Sequence, residues 1–255
     1  MYNLWTFFNK IFIITIPNSQ RILQLKDNLR KTNINNYNIV EFAPAKKMIN
    51  DGGNDVQTIS EIYNHNICDD TCQNIAQNHI KLIKEAYKKK FDNILILEDH
   101  ALFDKISPSR LFSVISWLTK NKWDMFYFGY CPWPIPVSIP ITRHIVRVFY
   151  PYCTHCYALN RSGIVKIIKN LHTYNNEHID NWYSKQKYIT KYAIFPAINF
   201  QSSDPALFKK AIQKIGVNIS FKNISKILEV FSLILPLFII FIVIFMLYKI
   251  KKLLL

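Results

Sequence analysis

Hydrophobic and polar positions along the first 200 residues predict strands and helices in alternation. Apolar residues recur every three or four positions in segments typical of amphipathic helices, at residues 19–31, 70–89 and 107–117. Between them lie short apolar runs, typical of strands buried on both faces, at residues 11–16, 37–42, 94–97 and 125–128. We therefore expect a three-layer α/β sandwich, with helices covering both faces of a largely parallel sheet.

The pattern loosens after residue 130. Residues 131–140 carry four prolines and predict a loop or lid, and the polar, glycine-bearing residues 44–66 predict a long functional loop. Further strands are expected at residues 145–149, 156–159 and 192–195, and further helices at 162–171 and 176–185. At the helix starts, Asn18 or Ser19 is expected to cap the first helix, and Ser107 to cap the one that begins with Pro108.

The carboxyl-terminal part of the chain predicts a membrane anchor. Residues 230–248 contain no charged side chain and are rich in Ile, Leu and Phe, which is enough to cross a bilayer core of about 30 Å. Lysines flank this segment on both sides, so the charge pattern does not decide its orientation. With no secretory signal at the amino terminus, we expect a single-pass anchor with the globular part in the cytosol.

Charge and cysteine usage narrow the class of protein. The net charge of +15 favours anionic partners such as phosphorylated molecules or acidic lipid. The sequence contains no nucleic-acid-binding motif, so we do not expect nucleic acid as a partner. Five cysteines without a signal peptide argue against a disulfide framework. A zinc site from Cys68, Cys72, Cys153 and Cys156 stays an alternative to small buried thiols.

The most informative chemistry follows the apolar run at residues 94–97, where Glu98, Asp99 and His100 come in succession. Residues just past the carboxyl end of such a strand lie where open α/β sheets bind ligands. Carboxylate and imidazole groups at this position indicate a divalent cation at the edge of a nucleotide site. The alternative is an acidic strand end that only caps the next element.

Several segments, taken in order, resemble glycosyltransferase family 25, which includes lipopolysaccharide-biosynthesis and collagen galactosyltransferases. The matching segments are IFIITIPNSQR at 11–21, IAQNH at 75–79, NILILEDHA at 93–101, WDMFYFG at 123–129, THCYALNRSG at 154–163, HIDNW at 178–182 and residues 195–202. The family's metal motif ends in two aspartates, and here His100 replaces the second. The resemblance covers roughly residues 10–205, most of the globular part.

The resemblance implies a GT-A-like, nucleotide-binding domain, which we assign to residues 1–208. Charge and hydropathy divide the rest of the chain into a basic linker at 209–226, a transmembrane helix at 227–248 and a short tail at 249–255. It implies an inverting enzyme that transfers a hexose, such as galactose or glucose, from a nucleotide-sugar donor, for example a UDP-hexose. The acceptor would be a glycan, a lipid or a protein. A divalent metal, Mn²⁺ in preference to Mg²⁺, would assist.

The resemblance also assigns roles to single residues. Glu98 and His100 would hold the metal, and Asp99, Arg21 and His155 would contact the donor. Asp99 and His155 could instead contact the metal, and a buried core histidine is the alternative for His155. Asp180 is the expected catalytic base, with a helix N-cap as its alternative role. His79 is expected to orient a neighbouring loop. Because His100 departs from the family, an inactive, membrane-anchored binding or scaffold protein of the same fold is the alternative function.

Overall fold

The computed structural model describes residues 3–42, 70–131, 137–202 and 220–254, and within these ranges it contains six α-helices and ten strands. The helices are α1 (Arg21–Lys31), α2 (Asp70–Lys88), α3 (Pro108–Lys120), α4 (Arg161–Asn170), α5 (Ile179–Lys185) and α6 (Phe221–Leu254). The strands are β1 (Lys10–Thr15), β2 (Asn38–Glu41), β3 (Asn93–Glu98), β4 (Ala101–Phe103), β5 (Met125–Tyr127), β6 (Ser138–Thr142), β7 (Ile145–Val148), β8 (Cys156–Asn160), β9 (Lys191–Ile194) and β10 (Asn199–Gln201).

Eight of the strands form one mixed sheet in the order β2-β1-β3-β8-β5-β9-β7-β6, and β4 and β10 form a small separate sheet. The expected parallel pairing holds for β1 with β2 and β3, and for β5 with β9. The expectation of a largely parallel sheet is wrong in part, because four of the seven pairings are antiparallel: those of β8 with β3 and β5, and those of β7 with β9 and β6. An apolar run predicts a buried strand but carries no information on its direction.

Two hydrophobic cores cover the two faces of the large sheet, which confirms the three-layer α/β sandwich. Because side chains alternate along a strand, Ile11 and Ile13 of β1 enter one core, and Phe12 and Ile14 enter the other. The first core is completed by apolar side chains of α1 and α3, and the second by those of α2, α4 and α5. The predicted helices therefore bury the faces that their periodicity indicated.

Two predictions about connecting segments are wrong in part. Residues 138–140, expected in a loop or lid, belong to β6 at the edge of the sheet, where Pro140 is tolerated because one side of an edge strand needs no ladder hydrogen bonds. Residues 221–226, expected in a linker, are the first turns of α6. The predicted loop at 44–66, most of the 131–137 segment and residues 209–219 lie outside the described residues.

Asp124, a buried residue directly before β5, connects the amino ends of β5 and β9 to α4. The Asp124 carboxylate accepts hydrogen bonds from Lys166 Nζ at 2.6 Å and from the Thr190 amide at 2.8 Å. Gly163, in the first turn of α4, packs so closely on Asp124 that a Cβ there would overlap the Asp124 carbonyl oxygen. These two motif residues therefore hold the fold together, away from the candidate chemistry at the end of β3.

The helix α6 is, within the described part of the chain, the one helix long and apolar enough to cross a membrane. Its candidate span is Lys222–Ile242, with a mean hydropathy of 2.2, and only 17% of that window is buried inside the protein. At 34 residues the helix is roughly 50 Å long, which exceeds the bilayer core. Part of α6 is thus available for contacts with the globular domain.

The packing at Gly163 predicts the effect of a single methyl group. An alanine in a helix is normally up to about 1 kcal/mol more stable than a glycine. In Gly163→Ala the clash with backbone should outweigh this, with a net loss of about 1–3 kcal/mol. Thermal unfolding of the detergent-solubilised chain measures the loss. Lys169→Ala, at an exposed position of the same helix, is the control and should change stability little; an equal effect of both variants would contradict the packing argument.

Candidate active site

Asp99 is fixed at the carboxyl end of β3 by donors from the neighbouring β1–α1 connection. Its Oδ2 accepts hydrogen bonds from Thr15 Oγ1 at 2.9 Å and from Ser19 Oγ at 2.6 Å, and its Oδ1 lies 3.2 Å from an Arg21 guanidinium nitrogen. Ser19 therefore does not cap α1 as predicted; Gln20 occupies the cap position, without a side-chain cap bond. Arg21 and Asp99, which are both expected to contact the donor, therefore lie side by side.

Glu98 is held by a different set of side chains. Its Oε1 accepts a hydrogen bond from Thr154 Oγ1 at 3.0 Å and lies 3.3 Å from His79 Nε2. The other ring nitrogen of His79 is 2.9 Å from the Tyr157 hydroxyl. His79, which is fully buried on α2, thus positions a strand-end carboxylate rather than a loop.

The segment 151–155 connects Glu98 to Asp180. Thr154 binds Glu98, and the next residue back, Cys153, donates its amide to Asp180 Oδ2 at 3.2 Å. Cys153 has a φ of 75°, a left-handed backbone conformation that is unusual for a side chain with a Cβ. Asp180 lies inside the first turn of α5, where His178 occupies the cap position, so the N-cap alternative is wrong.

His155, directly before β8, is buried between His100 and the start of β10. Its ring is centred 6.3 Å from the ring of His100, and its Nε2 is 3.3 Å from the Asn199 carbonyl oxygen. Within the described residues its Nδ1 has no hydrogen-bond partner. Gly129 makes this placement possible, because a Cβ there would overlap both His155 Nε2 and the Asn199 carbonyl.

The two adjacent carboxyl groups, Glu98 and Asp99, both have a pKa below the ordinary value. Burial opposes ionisation of Glu98, but the contact from His79 and the proximity of His100 outweigh it and hold the Glu98 pKa below its usual range. Burial likewise opposes ionisation of Asp99, and contacts from His100, Ser19 and Thr15 more than offset it, so that the Asp99 pKa is lowered.

Asp180 and His155 shift the other way, toward their neutral forms. Burial raises the pKa of Asp180, and the negative charge of Glu98 raises it further, although hydrogen bonds from Cys153 and Asn181 partly offset both effects. Burial, followed by the proximity of His100, lowers the pKa of His155 to about 4. His155 is thus neutral at pH 7, whereas Glu98 carries its full negative charge.

Glu98 and His100 fit a cation that is also bound by substrate and water better than a cation whose ligands all come from the protein. Glu98 Oε2 and His100 Nε2 lie 3.5 Å apart, and an ion that binds at about 2.1 Å fits between two such ligands. Among the described residues, no group of three or more His, Cys, Asp or Glu side chains is arranged to hold a metal. Protein would therefore supply two ligands, and substrate phosphates and water the rest, as Mg²⁺ sites commonly do.

Arg161 lies apart from this site. It belongs to the segment that resembles the family at 154–163, stacks on Tyr87 and donates to the Tyr87 carbonyl; the preceding Asn160 pairs with Asn93, at the amino end of β3. Cys153 and Cys156 are free thiols, and Cys68 and the Cys72 side chain lie outside what is described. Thr15, Thr154 and Tyr157 were missed by the sequence analysis, because hydroxyl groups in apolar strands give no pattern of their own.

Comparisons with known proteins give distant likenesses only. No protein-family model and no curated protein matches the chain. Three solved structures align at TM-scores below 0.5: A197 from STIV (13% identity, TM-score 0.43, 75% of this chain and 81% of that one), a glycosyltransferase involved in the glycosylation of the major capsid of PBCV-1 (12%, 0.33, 64% and 66%) and a nucleoside-diphosphate-sugar pyrophosphorylase from Vibrio cholerae RC9 (11%, 0.37, 82% and 83%). Membership of family 25 stays a prediction from the residues.

The lowered pKa of Glu98 predicts how acid affects stability. A carboxyl group whose folded-state pKa lies below its ordinary value of 4.5 stabilises the fold above about pH 4.5, and this contribution is lost as the pH falls further. Glu98→Gln lacks the contribution at every pH. The gap in melting temperature between the wild type and this variant should therefore shrink between pH 7 and pH 3.5.

Thermal unfolding across that pH range tests the prediction. Glu85→Gln is the matched control, since Glu85 pairs with Lys89 on the surface of α2 and that exposed pair contributes little. A wild-type-to-Glu98→Gln gap that stays constant with pH would show that the Glu98 charge is not stabilised in the folded protein.

Proposed function

We propose that this chain is a membrane-anchored, inverting glycosyltransferase, which transfers a hexose such as galactose or glucose from a nucleotide-sugar donor to a glycan, lipid or protein acceptor. The observation that carries the proposal is the convergence of Glu98, His100 and Asp180 around the segment 151–155. Thr154 and Cys153, neighbours in that segment, bind Glu98 and Asp180. The convergence lies at the carboxyl end of β3, where α/β sheets bind ligands.

Residues on the donor side are suited to a diphosphate. Glu98 and His100 would hold a divalent cation, with Mn²⁺ favoured over Mg²⁺ because imidazole nitrogen is a poorer ligand for the harder ion. Such a cation, when bound, supplies positive charge that stabilises the nucleotide diphosphate as it leaves. Arg21 is half-exposed beside Asp99 and presents a guanidinium to a phosphate or ribose group. A UDP-hexose is the donor that we propose.

Asp180 supplies the base on the acceptor side. The acceptor hydroxyl gives its proton to the Asp180 carboxylate while its oxygen forms a bond to the anomeric carbon of the hexose. The bond from that carbon to the nucleotide diphosphate breaks in the same displacement, which inverts the configuration. A raised pKa makes Asp180 a stronger base than a solvated aspartate, and the Cys153 amide fixes the direction of the carboxylate.

One observation favours an inactive binding or scaffold protein as the second candidate. Oε1 of Glu98 already has Thr154 and His79 as partners, and Asp99 is occupied by Thr15, Ser19 and Arg21. A site whose carboxylates are satisfied by protein is stable without a ligand. In this second candidate the cluster is a structural element of the fold and has no chemical role.

Titration calorimetry with UDP, with and without Mn²⁺, distinguishes the two candidates. We expect UDP to bind more tightly when Mn²⁺ is present. Glu98→Ala removes one proposed metal ligand, so it should weaken metal-dependent binding by more than about tenfold. Glu85→Ala, the same substitution on the surface of α2, should bind as the wild type does. Absence of UDP binding at any Mn²⁺ concentration would contradict the enzyme proposal.

Asp180→Asn tests the base separately from the donor site. The amide cannot accept the acceptor proton, so transfer should fall by about 10²–10⁴-fold, while Mn²⁺-dependent UDP binding is retained. The measurement is transfer from a panel of UDP-hexoses, together with calorimetry on the same preparation. The base assignment fails if transfer by Asp180→Asn equals that of the wild type.

A further inference from the structure

A polar stripe on the first half of α6 docks this helix onto the globular domain. Ser225, Glu229 and Ser232 share one helix face and are almost fully buried. Ser225 Oγ donates to the Tyr130 carbonyl at 3.2 Å, and Glu229 Oε2 accepts the Ala197 amide at 2.9 Å. The helix is therefore attached to the domain by specific hydrogen bonds.

The contacts follow one another along the helix and define where it leaves the domain. At its start, Lys222 and Lys226 pair with Asp104, which comes directly after β4. Ten residues later, roughly 15 Å further along the helix axis, Ser232 Oγ donates to Ser138 Oγ, the first residue of β6. Most of the side chains that the structure describes beyond Leu233 are exposed and apolar, including Leu237, Phe238 and Phe241.

These contacts place the membrane boundary later than hydropathy does. A carboxylate within hydrocarbon is unfavourable and rare. Glu229 avoids it, because its side chain is 1% exposed and lies against the domain. The segment that enters lipid therefore starts after Ser232, about ten residues beyond the start of the apolar window at Lys222, and the rest of the helix, to Leu254, is about 33 Å long. β6 is the last element that α6 touches before this boundary.

β6 presents an apolar and basic surface at this boundary. It is the edge strand of the large sheet, and Ile139 and Ile141 are 45% and 43% exposed. Arg147 pairs across from Ile139 in the β6–β7 hairpin, and Arg143 lies in the turn that joins the two strands; both are exposed. Apolar side chains flanked by arginine suit the headgroup layer of an acidic bilayer.

We propose that the β6–β7 hairpin is a lipid-binding surface, and that Ile139 and Ile141 insert into the interfacial layer beside α6. This inference rests on the proposed membrane anchoring but not on the proposed chemistry. The rigid attachment of α6 then orients the domain on the bilayer. Within the sheet, five strand spacings, about 24 Å, separate β6 from β3, whose carboxyl end carries the candidate site.

The test uses the full chain in lipid nanodiscs that contain phosphatidylserine and a lipid with a nitroxide on its headgroup. A genetically encoded coumarin amino acid replaces Ile141, or Ile139 in a second variant. Leu23 is the matched control position, because it is an exposed aliphatic residue on α1, which packs near β1 at the opposite end of the sheet. We expect the headgroup nitroxide to quench coumarin at positions 141 and 139 several-fold more strongly than at position 23.

Equal quenching at all three positions in chains that have entered the nanodisc would overturn the proposal. A chain that does not enter the nanodisc would overturn the anchoring and this inference with it. UDP binding measured on the same nanodiscs keeps the two proposals apart. Strong quenching without UDP binding would support the lipid surface and reject the enzyme, while UDP binding with equal quenching would do the reverse.

Discussion

The adjacent carboxylates of Glu98 and Asp99 impose the main constraint on this fold. Two neighbouring charges at a strand end, both largely withdrawn from water, are unfavourable unless each has its own hydrogen-bond donors. The donors come from β1, the turn before α1, helix α2 and the segment before β8. Elements that are distant in sequence thus meet at one edge of the sheet, and the removal of a donor would weaken the stabilisation of a buried charge.

Local signals in the sequence were sufficient for most helices and strands. Ser107 caps α3 as expected, since the Ser-Pro pair is a local signal, and the apolar run at 94–97 became β3. The antiparallel direction of β8 was not predictable, because apolar pattern does not encode strand direction. β6 was missed because Pro140 and exposed side chains hide the pattern of an edge strand.

The candidate site was predictable only in part. Glu98, Asp99 and Arg21 stand in recognisable segments, but only the pairing of β1 with β3 in the structure brings them to one edge of the sheet. A serine directly before a helix is usually its N-cap, but the Ser19 hydroxyl donates instead to the buried carboxylate of Asp99, 80 residues away in the sequence.

Hydropathy alone does not divide α6 into a half that docks on the domain and a half that enters lipid, since that division depends on the partners of Glu229 in the folded domain.

The central claim is that the end of β3 holds a divalent cation together with a nucleotide. A substitution of His100 tests the proposed metal site most directly, because an imidazole stands where a hard oxygen ligand would bind Mn²⁺ more tightly. The most direct measurement is the Mn²⁺ affinity of the wild type and of His100→Asp in the presence of UDP, from the electron paramagnetic resonance signal of free Mn²⁺. A functional site predicts tighter Mn²⁺ binding in His100→Asp. Equal Mn²⁺ affinity in the two proteins would contradict the claim.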